Sequence, residues 1–239
     1  MIKTIFGNPF IIAKREVSSF IFSPVAYIVL FFFMTFSGAV FFYNYFMNGE
    51  ASLRGYFELL PWLLSVFVPA LTMRLFSEEW STGSIEMLLT SPFTLWEIIA
   101  GKFSAALILS MLMLAPSLLY LITVSLTGEV DLGVTFGGYL GAFFLCALYS
   151  AVGIFVSAIT SSQVISLIVS IALCFFFYFI FFALQFIPGK IADILQFIST
   201  GYHFRNFAKG IVDSREILYF ISMSVLFLFS AKIGIDKRR

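Results

Sequence analysis

The chain has 239 residues, of which 61% are apolar and 11% are charged, and its formal net charge is +1. Soluble domains are about half apolar and a quarter charged, so this composition excludes an ordinary soluble enzyme. The small and dispersed positive charge also argues against a nucleic-acid partner. Apolar runs of about 18 residues or more recur along the chain and are typical of membrane-spanning helices.

The first element along the chain is a predicted amphipathic helix over residues 9–22. Asn8 and Pro9 suit the N-cap and the first helical position. Apolar residues then recur at three- and four-residue spacing, namely Phe10, Ala13, Val17 and Phe20. We interpret this segment as an interfacial helix on the cytoplasmic membrane surface; the alternative is a simple cytoplasmic extension of the first span.

Six apolar runs are long enough to cross a bilayer. The predicted spans are residues 25–46, 59–75, 103–126, 136–159, 164–187 and 217–235. They predict an all-α integral membrane protein with six transmembrane helices. We expect residues 1–239 to form a single transmembrane domain.

Lysine and arginine are unevenly divided between the two ends of these spans. Nine lie on the side of both termini and five on the other, so the positive-inside rule places both termini in the cytoplasm. The nine are Lys3, Lys14, Arg15, Arg74, Lys102, Lys232, Lys237, Arg238 and Arg239. The five are Arg54, Lys190, Arg205, Lys209 and Arg215.

The connection between the second and third spans, residues 76–92, is the most polar cytoplasmic stretch. Thr82 or Gly83 can cap a short helix that Pro92 ends. The apolar edge of this helix comprises Ile85, Leu88 and Leu89. Lying parallel to the membrane, the helix would present carboxylates and this edge to a soluble partner. A solvated loop without a partner fits the spacing equally well.

The residues around the third and fourth spans give further local signals. Thr94 and Glu97 form a capping-box pattern that begins the third helix before it enters the membrane. Small residues that allow close helix approach recur in the fourth span at Gly137, Gly138, Gly141 and Ala142. We predict packing within one subunit, with a dimer seam or a pathway lining as alternatives. Kinks are predicted at Pro61, Pro69 and Pro116.

The connection between the fifth and sixth spans, residues 188–216, is long and amphipathic. It contains two apolar series separated by a break at residues 199–201. The series are Ile191, Ile194, Leu195 and Ile198, then Phe204, Phe207, Ala208 and Ile211. They predict two short helices at the outer interface. Asp213 and Glu216 are placed to cap the sixth span, and His203 is interpreted as a hydrogen-bonding group rather than a ligand.

The sequence carries none of the motifs expected of a catalytic chain. It contains no phosphate-binding loop, no H-E-x-x-H pair and no G-x-S-x-G elbow. No predicted span has an ionisable residue near its centre, which argues against a carrier driven by an ion gradient. Cys146 and Cys174 lack metal-ligand spacing and are interpreted as packing residues. We therefore expect no catalytic residue, cofactor or metal site.

Several stretches resemble the type-2 ABC exporter permeases. These are residues 69–74, the pair Glu78-Glu79, residues 82–90 and Pro92. Within that family the chain is most similar to the gliding-motility-associated branch. Its match to that branch extends to residues 131–133, 137–139, 203–204 and 210–213.

The resemblance implies the membrane subunit of an ABC exporter in a bacterial inner membrane. Two permeases, identical or related, would sit on two ATPase subunits supplied by another chain. The coupling helix that contacts the ATPase would comprise Glu78, Glu79, Thr82, Gly83, Ser84, Ile85, Glu86, Leu88 and Leu89. The outer segment would resemble re-entrant gate helices, with His203, Phe204, Arg205 and Phe207 in the gate. The alternatives are an ATP-independent channel or carrier, and a structural component of a motility or secretion assembly.

Overall fold

A computed structural model describes residues 7–48, 52–90, 93–128, 131–183 and 195–238. All regular elements within these ranges are helices. The helices are α1 (Gly7–Ile21), α2 (Pro24–Asn48), α3 (Arg54–Thr72), α4 (Arg74–Thr82), α5 (Ile85–Leu89), α6 (Leu95–Leu114), α7 (Leu118–Thr127), α8 (Leu132–Ile159), α9 (Gln163–Ala183), α10 (Thr200–Ala208) and α11 (Ser214–Arg238). The predicted helix stop at Pro92, the first residues of the outer apolar series (Ile191 and Ile194) and the end of the fifth span lie outside the described residues.

Six helical runs within the described residues are long and apolar enough to cross a membrane. They are Pro24–Met47, Arg54–Thr82, Leu95–Leu126, Leu132–Ile159, Gln163–Phe182 and Ser214–Arg238. The predicted all-α membrane fold with six transmembrane helices is confirmed. The second and third runs are longer than predicted, because hydropathy marks only the apolar part of a helix. Thr94 begins the third helix and forms the predicted capping box. Its hydroxyl accepts a hydrogen bond from the Glu97 amide at 3.3 Å.

Helix α8 is the central helix of the bundle and packs against α3, α6, α9, α10 and α11. Its small residues make this packing possible. A Cβ atom at Gly138 would lie 2.5 Å from the Phe57 ring of α3, and one at Gly141 would lie 2.5 Å from Phe207 of α10. Within this chain the predicted small-residue face therefore packs against neighbouring helices of the same subunit.

Of the three prolines at which kinks were predicted, two lie at or near an interruption of a helix. Pro69 precedes the break between α3 and α4 at Met73. Pro116 lies in a short 3₁₀ turn, Ala115–Ser117, between α6 and α7. Pro61 is accommodated inside α3.

Helix α1 packs against α6 rather than lying apart from the bundle. A Cβ atom at Gly101 of α6 would lie 2.8 Å from the Ile12 side chain, so the two helices are in close contact. The buried residues of α1 are Ile12, Ala13 and Phe20, whereas Phe10 is exposed. The predicted helix is present, but its packed face is centred closer to Ile12 than the apolar spacing indicated.

Candidate functional site

We refer to the end of the bundle formed by α1, α4, α5 and the start of α6 as the α5 end. The predicted capping of α5 was wrong. Gly83 has a left-handed backbone, with φ of 74°, and terminates α4. The Thr82 hydroxyl donates to the Glu78 carbonyl at 2.9 Å, and Ser84 precedes α5 without a side-chain cap. Glycine is strongly enriched just after the last residue of a helix and only modestly at the N-cap, so Gly83 is in its usual place.

The apolar edge of α5 is covered by the chain itself. Ile85 and Leu88 are buried in a cluster that includes Ile12 of α1 and Ile98 of α6. The prediction that this edge faces the cytoplasm was therefore wrong, because α1 and α6 approach closely enough to hide it. The outward side of α5 instead carries Glu86 and Met87, and Met87 is 78% exposed.

Lys102 forms a buried ionic cluster beneath α5. Its side chain is 1% exposed, and its Nζ donates to Glu16 Oε1 at 3.3 Å and to Glu79 Oε1 at 2.8 Å. It also donates to the Leu75 carbonyl, and it lies 4.8 Å from the centroid of the Phe76 ring. The cluster joins α1, α4 and α6, which supply Glu16, Glu79 and Lys102 respectively.

The charges around Glu16 favour its ionised form. Burial alone would raise the pKa of Glu16, but the Lys102 ammonium and the Arg15 guanidinium outweigh it, so the pKa is lowered. The Arg15 guanidinium lies 2.9 Å from Glu16 and 3.7 Å from Glu79. Two cations thus face two carboxylates at this junction, and the second oxygen of Glu79 is buried without a hydrogen-bond partner among the described residues.

Further contacts tie α4 to its neighbours. Arg74 donates to Glu78 at 3.1 Å and to the Ser23 hydroxyl, between α1 and α2, at 2.9 Å. Arg238, at the end of α11, lies 4.1 Å from the Trp80 ring centroid and donates to the Ser161 hydroxyl at 2.7 Å. The α5 end is therefore held as one unit by side chains from several helices.

The opposite end of the bundle, which we call the α10 end, contains a second buried polar cluster. His203 Nδ1 is hydrogen-bonded to the Glu216 carboxylate, and the Asn206 amide donates to the other oxygen of that carboxylate. The His203 ring stacks on Tyr219 with centroids 3.9 Å apart. His203 is thus a hydrogen-bonding group, as expected from the sequence, and it joins α10 to α11.

The predicted caps of α11 divide into two cases. Asp213 does cap the helix, because its carboxylate accepts the Arg215 amide at 3.0 Å. Glu216 lies in the first turn, but its side chain pairs with His203 and Asn206. Sequence spacing could not indicate this, since the partners belong to the preceding short helix.

The four residues predicted to form an outer gate are all in or at α10. Phe204 and Phe207 are buried, and Phe207 packs against Gly141 of α8. Arg205 is exposed and lies 5.5 Å from the Phe181 ring centroid of α9. A cavity of about 310 Å³ lies between α3, α9 and α10 here. Its lining includes Glu58, Tyr178, Phe181, Phe204 and Arg205.

In the described parts of the chain, no group of three or more His, Cys, Asp or Glu residues could hold a metal ion.

Six long apolar helices define a multi-pass membrane protein. A family model described as ABC-2 family transporter protein matches residues 10–231. The chain therefore belongs to the ABC-2 transporter family and is a permease component of an ABC transporter. No curated protein matches the chain.

Proposed function

We propose that this chain is the membrane subunit of an ATP-driven exporter, working as a dimer of permeases on a separate pair of cytoplasmic ATPase subunits. The α5 end is the contact surface for the ATPase. Both termini are cytoplasmic, and the membrane is a bacterial inner membrane. Family membership supports the permease role; the direction, the partners and the site are our inference.

The observation that carries the proposal is the way α5 is presented. A five-residue helix is far too short to be stable alone, yet its Ile85 and Leu88 side chains are packed into the bundle. This anchoring leaves Glu86 and Met87 on a rigid outward surface. An exposed methionine next to a carboxylate suits an apolar pocket with a basic rim on a partner.

The contacts behind α5 explain how a push on it would reach the membrane helices. Glu79 of α4 is bound to Lys102 of α6, and Lys102 is also bound to Glu16 of α1. Displacement of α4 and α5 by the ATPase would thus move α1 and α6 as well. The break at Met73 allows α4 to move relative to α3.

At the other end, α10 is the element that would respond. It packs on the central helix α8 and is joined to α11 through His203 and Glu216. The cavity beside Arg205 and Phe204 lies between α10 and two spans, where movement of α10 would change its width. These contacts support an outer gate built on His203, Phe204, Arg205 and Phe207.

Site-specific cross-linking tests the ATPase contact. A Met87→Cys variant, co-expressed with the ABC ATPase encoded nearest to this gene, should cross-link to that ATPase when a short bifunctional reagent is added. A Leu126→Cys variant is the matched control, since Leu126 is 81% exposed but at the end of the third span that faces away from α5. Cross-linking from both positions, or from neither, would refute the assignment.

Coupling is tested with substitutions that spare the bundle. Met87→Asp should reduce ATP hydrolysis by the complex in vesicles, while the purified chain alone hydrolyses no ATP. Leu88→Asp is a poor probe, because Leu88 is buried and the change would destabilise the α5 end itself. Unchanged ATP hydrolysis by the Met87→Asp complex would show that the ATPase does not contact this surface of α5.

Topology and biological setting form the remaining parts of the proposal. The contacts of Arg15, Arg74, Lys102 and Arg238 support a shared cytoplasmic side for these basic residues. Reporter fusions should find both termini in the cytoplasm and a fusion after Lys209 outside; a periplasmic signal from either terminus contradicts the orientation. The resemblance to the gliding-motility branch is tested by deleting the gene in a gliding bacterium, where spreading should stop.

A further inference from the structure

Two grooves meet on the side of the bundle where α1, α2, α4 and α6 come together. The first has a volume of about 120 Å³ and is almost wholly apolar; its lining includes Ala26, Tyr27, Leu30, Leu109 and Leu112. The second has a volume of about 310 Å³ and is the more polar of the two; its lining includes Arg15, Glu16, Arg74, Glu78 and Glu79. Phe20 lines both grooves, so the two grooves adjoin at this side chain.

The apolar groove is open to the bilayer. Tyr27 and Leu112 on its rim are 63% and 46% exposed, and both belong to spanning helices. In a membrane such a groove is filled by acyl chains, because the hydrocarbon region supplies no water to occupy it. A lipid tail is therefore the occupant that the surroundings provide.

The polar groove is lined by two guanidinium groups, those of Arg15 and Arg74, and by three carboxylates, those of Glu16, Glu78 and Glu79. The charges of Glu16 and Glu79 are engaged by Lys102, which is 1% exposed, and by Arg15, which lies 2.9 Å from Glu16 and 3.7 Å from Glu79. Arg15 is 61% exposed, and Arg74 is held in place by Glu78 and by Ser23. Glu78 is 43% exposed, so it can contact a bound group as well as Arg74. Guanidinium groups suit phosphate oxygens, and a carboxylate suits a hydrogen-bonding cation.

Phe20 marks where the apolar groove ends and the charged side chains of the polar groove begin. The Arg74 guanidinium carbon lies 5.7 Å from the Phe20 ring centroid, at the boundary between the two grooves. A molecule with its tail in the apolar groove would thus place its phosphate beside Arg74 and its outermost group beside Glu78. Because Arg15 and Lys102 engage Glu16 and Glu79, the pair left to a ligand is Arg74 and Glu78, which matches a phosphate followed by an ammonium group.

We propose that this surface binds one phospholipid of the leaflet next to the α5 end, with a phosphoethanolamine headgroup. Its ammonium group donates hydrogen bonds to Glu78, which a trimethylammonium group cannot do. A phosphoglycerol headgroup has no cation for Glu78 and is disfavoured. Since α1, α4 and α6 all contribute to the site, the lipid binds to the junction that surrounds Lys102.

The site is tested by native mass spectrometry of the purified full-length chain. Phosphatidylethanolamine, phosphatidylcholine and phosphatidylglycerol with identical acyl chains are added in equal amounts. The chain should retain one phosphatidylethanolamine about tenfold more strongly than either competitor, as expected for one charge-assisted hydrogen bond. Equal retention of all three lipids overturns the proposal, and preference for phosphatidylglycerol overturns the headgroup assignment.

Substitutions separate this site from general lipid binding. Glu78→Gln should abolish the headgroup preference, and Arg74→Gln should weaken retention of all three lipids. The matched controls are Glu58→Gln and Arg54→Gln, because Arg54 and Glu58 form the same (i, i+4) pair at the opposite end, with an N···O distance of 3.4 Å. Equal losses in the control pair would refute a specific site.

Two further arms test the tail and the source of the headgroup. Leu112→Trp should fill the apolar groove and reduce retention, whereas Ile108→Trp, an equally exposed position outside the groove, should not. Soluble glycerophosphoethanolamine in excess should fail to displace the lipid, because it lacks a tail. Displacement would show that the polar groove binds free phosphoesters and would refute the phospholipid assignment.

Discussion

Replacing Lys102 by methionine tests whether the buried ionic cluster holds the α5 end together. Methionine keeps most of the apolar stem but removes the ammonium group, which lies 2.8 Å from Glu79 and 3.3 Å from Glu16. Removing one partner of a buried ion pair costs about 3–5 kcal/mol. Arg15 remains close to both carboxylates, so we expect a loss near the lower end of that range, about 3 kcal/mol.

The assay is equilibrium unfolding in mixed detergent micelles, with the free energy of unfolding compared between variants. Lys209→Met is the control, since Lys209 is exposed at the α10 end and should change stability by about 0.5 kcal/mol or less. Adding Glu79→Gln to Lys102→Met should restore part of the loss, because it removes a carboxylate left without its cation. A loss below about 1 kcal/mol, or no recovery in the double variant, would refute the reasoning.

Three other substitutions test separate parts of the fold. Gly153→Val should destabilise the bundle by about 3 kcal/mol or more in the same unfolding assay, because a Cβ atom would lie 1.9 Å from the Thr72 hydroxyl oxygen. Thr94→Val should lower the free energy of unfolding by about 1 kcal/mol, because it removes a helix cap. The same unfolding assay measures this, and an unchanged free energy of unfolding would contradict the capping role. Glu216→Gln should weaken the packing of α10 on the bundle, so amide hydrogen exchange in residues 200–208 should become faster while exchange in the other helices stays the same. Unchanged exchange would argue against a stabilising role for the His203–Glu216 hydrogen bond.

The number of spans and the start of the third helix could be predicted because both depend on local sequence. A run of apolar residues long enough to cross the bilayer needs no knowledge of its neighbours. The capping box is equally local, since Thr94 and Glu97 are three residues apart. These features were confirmed for that reason.

The ionic cluster could not be predicted, because its members are distant in the sequence. Lys102 is 86 residues from Glu16 and 23 residues from Glu79. The only signal was a charged residue inside a helix that otherwise reads as apolar, and the sequence interpretation counted it simply as a cytoplasmic basic residue. Burial of a lysine requires oxygen partners, and only the fold identifies them.

The apolar edge of α5 shows a different limit of sequence reasoning. The spacing correctly identified Ile85 and Leu88 as one face of a short helix. It did not indicate which surface covers that face, because amphipathicity describes a helix and not its neighbours. In the structure Ile12 and Ile98 cover this face, and Met87 lies on the exposed side of the helix.

The break between α3 and α4 is stabilised by a single hydroxyl group of α8. Backbone groups freed by a helix break must find partners where water is scarce. Ser157 Oγ accepts the Phe76 and Ser77 amides at 3.0 and 2.9 Å and donates to the Met73 carbonyl at 3.0 Å, which uses the full hydrogen-bonding capacity of a hydroxyl. Because Ser157 belongs to the central helix, the pivot of α4 is attached to the least exposed part of the bundle. Movement of α5 would therefore turn α4 about a fixed point instead of unravelling it.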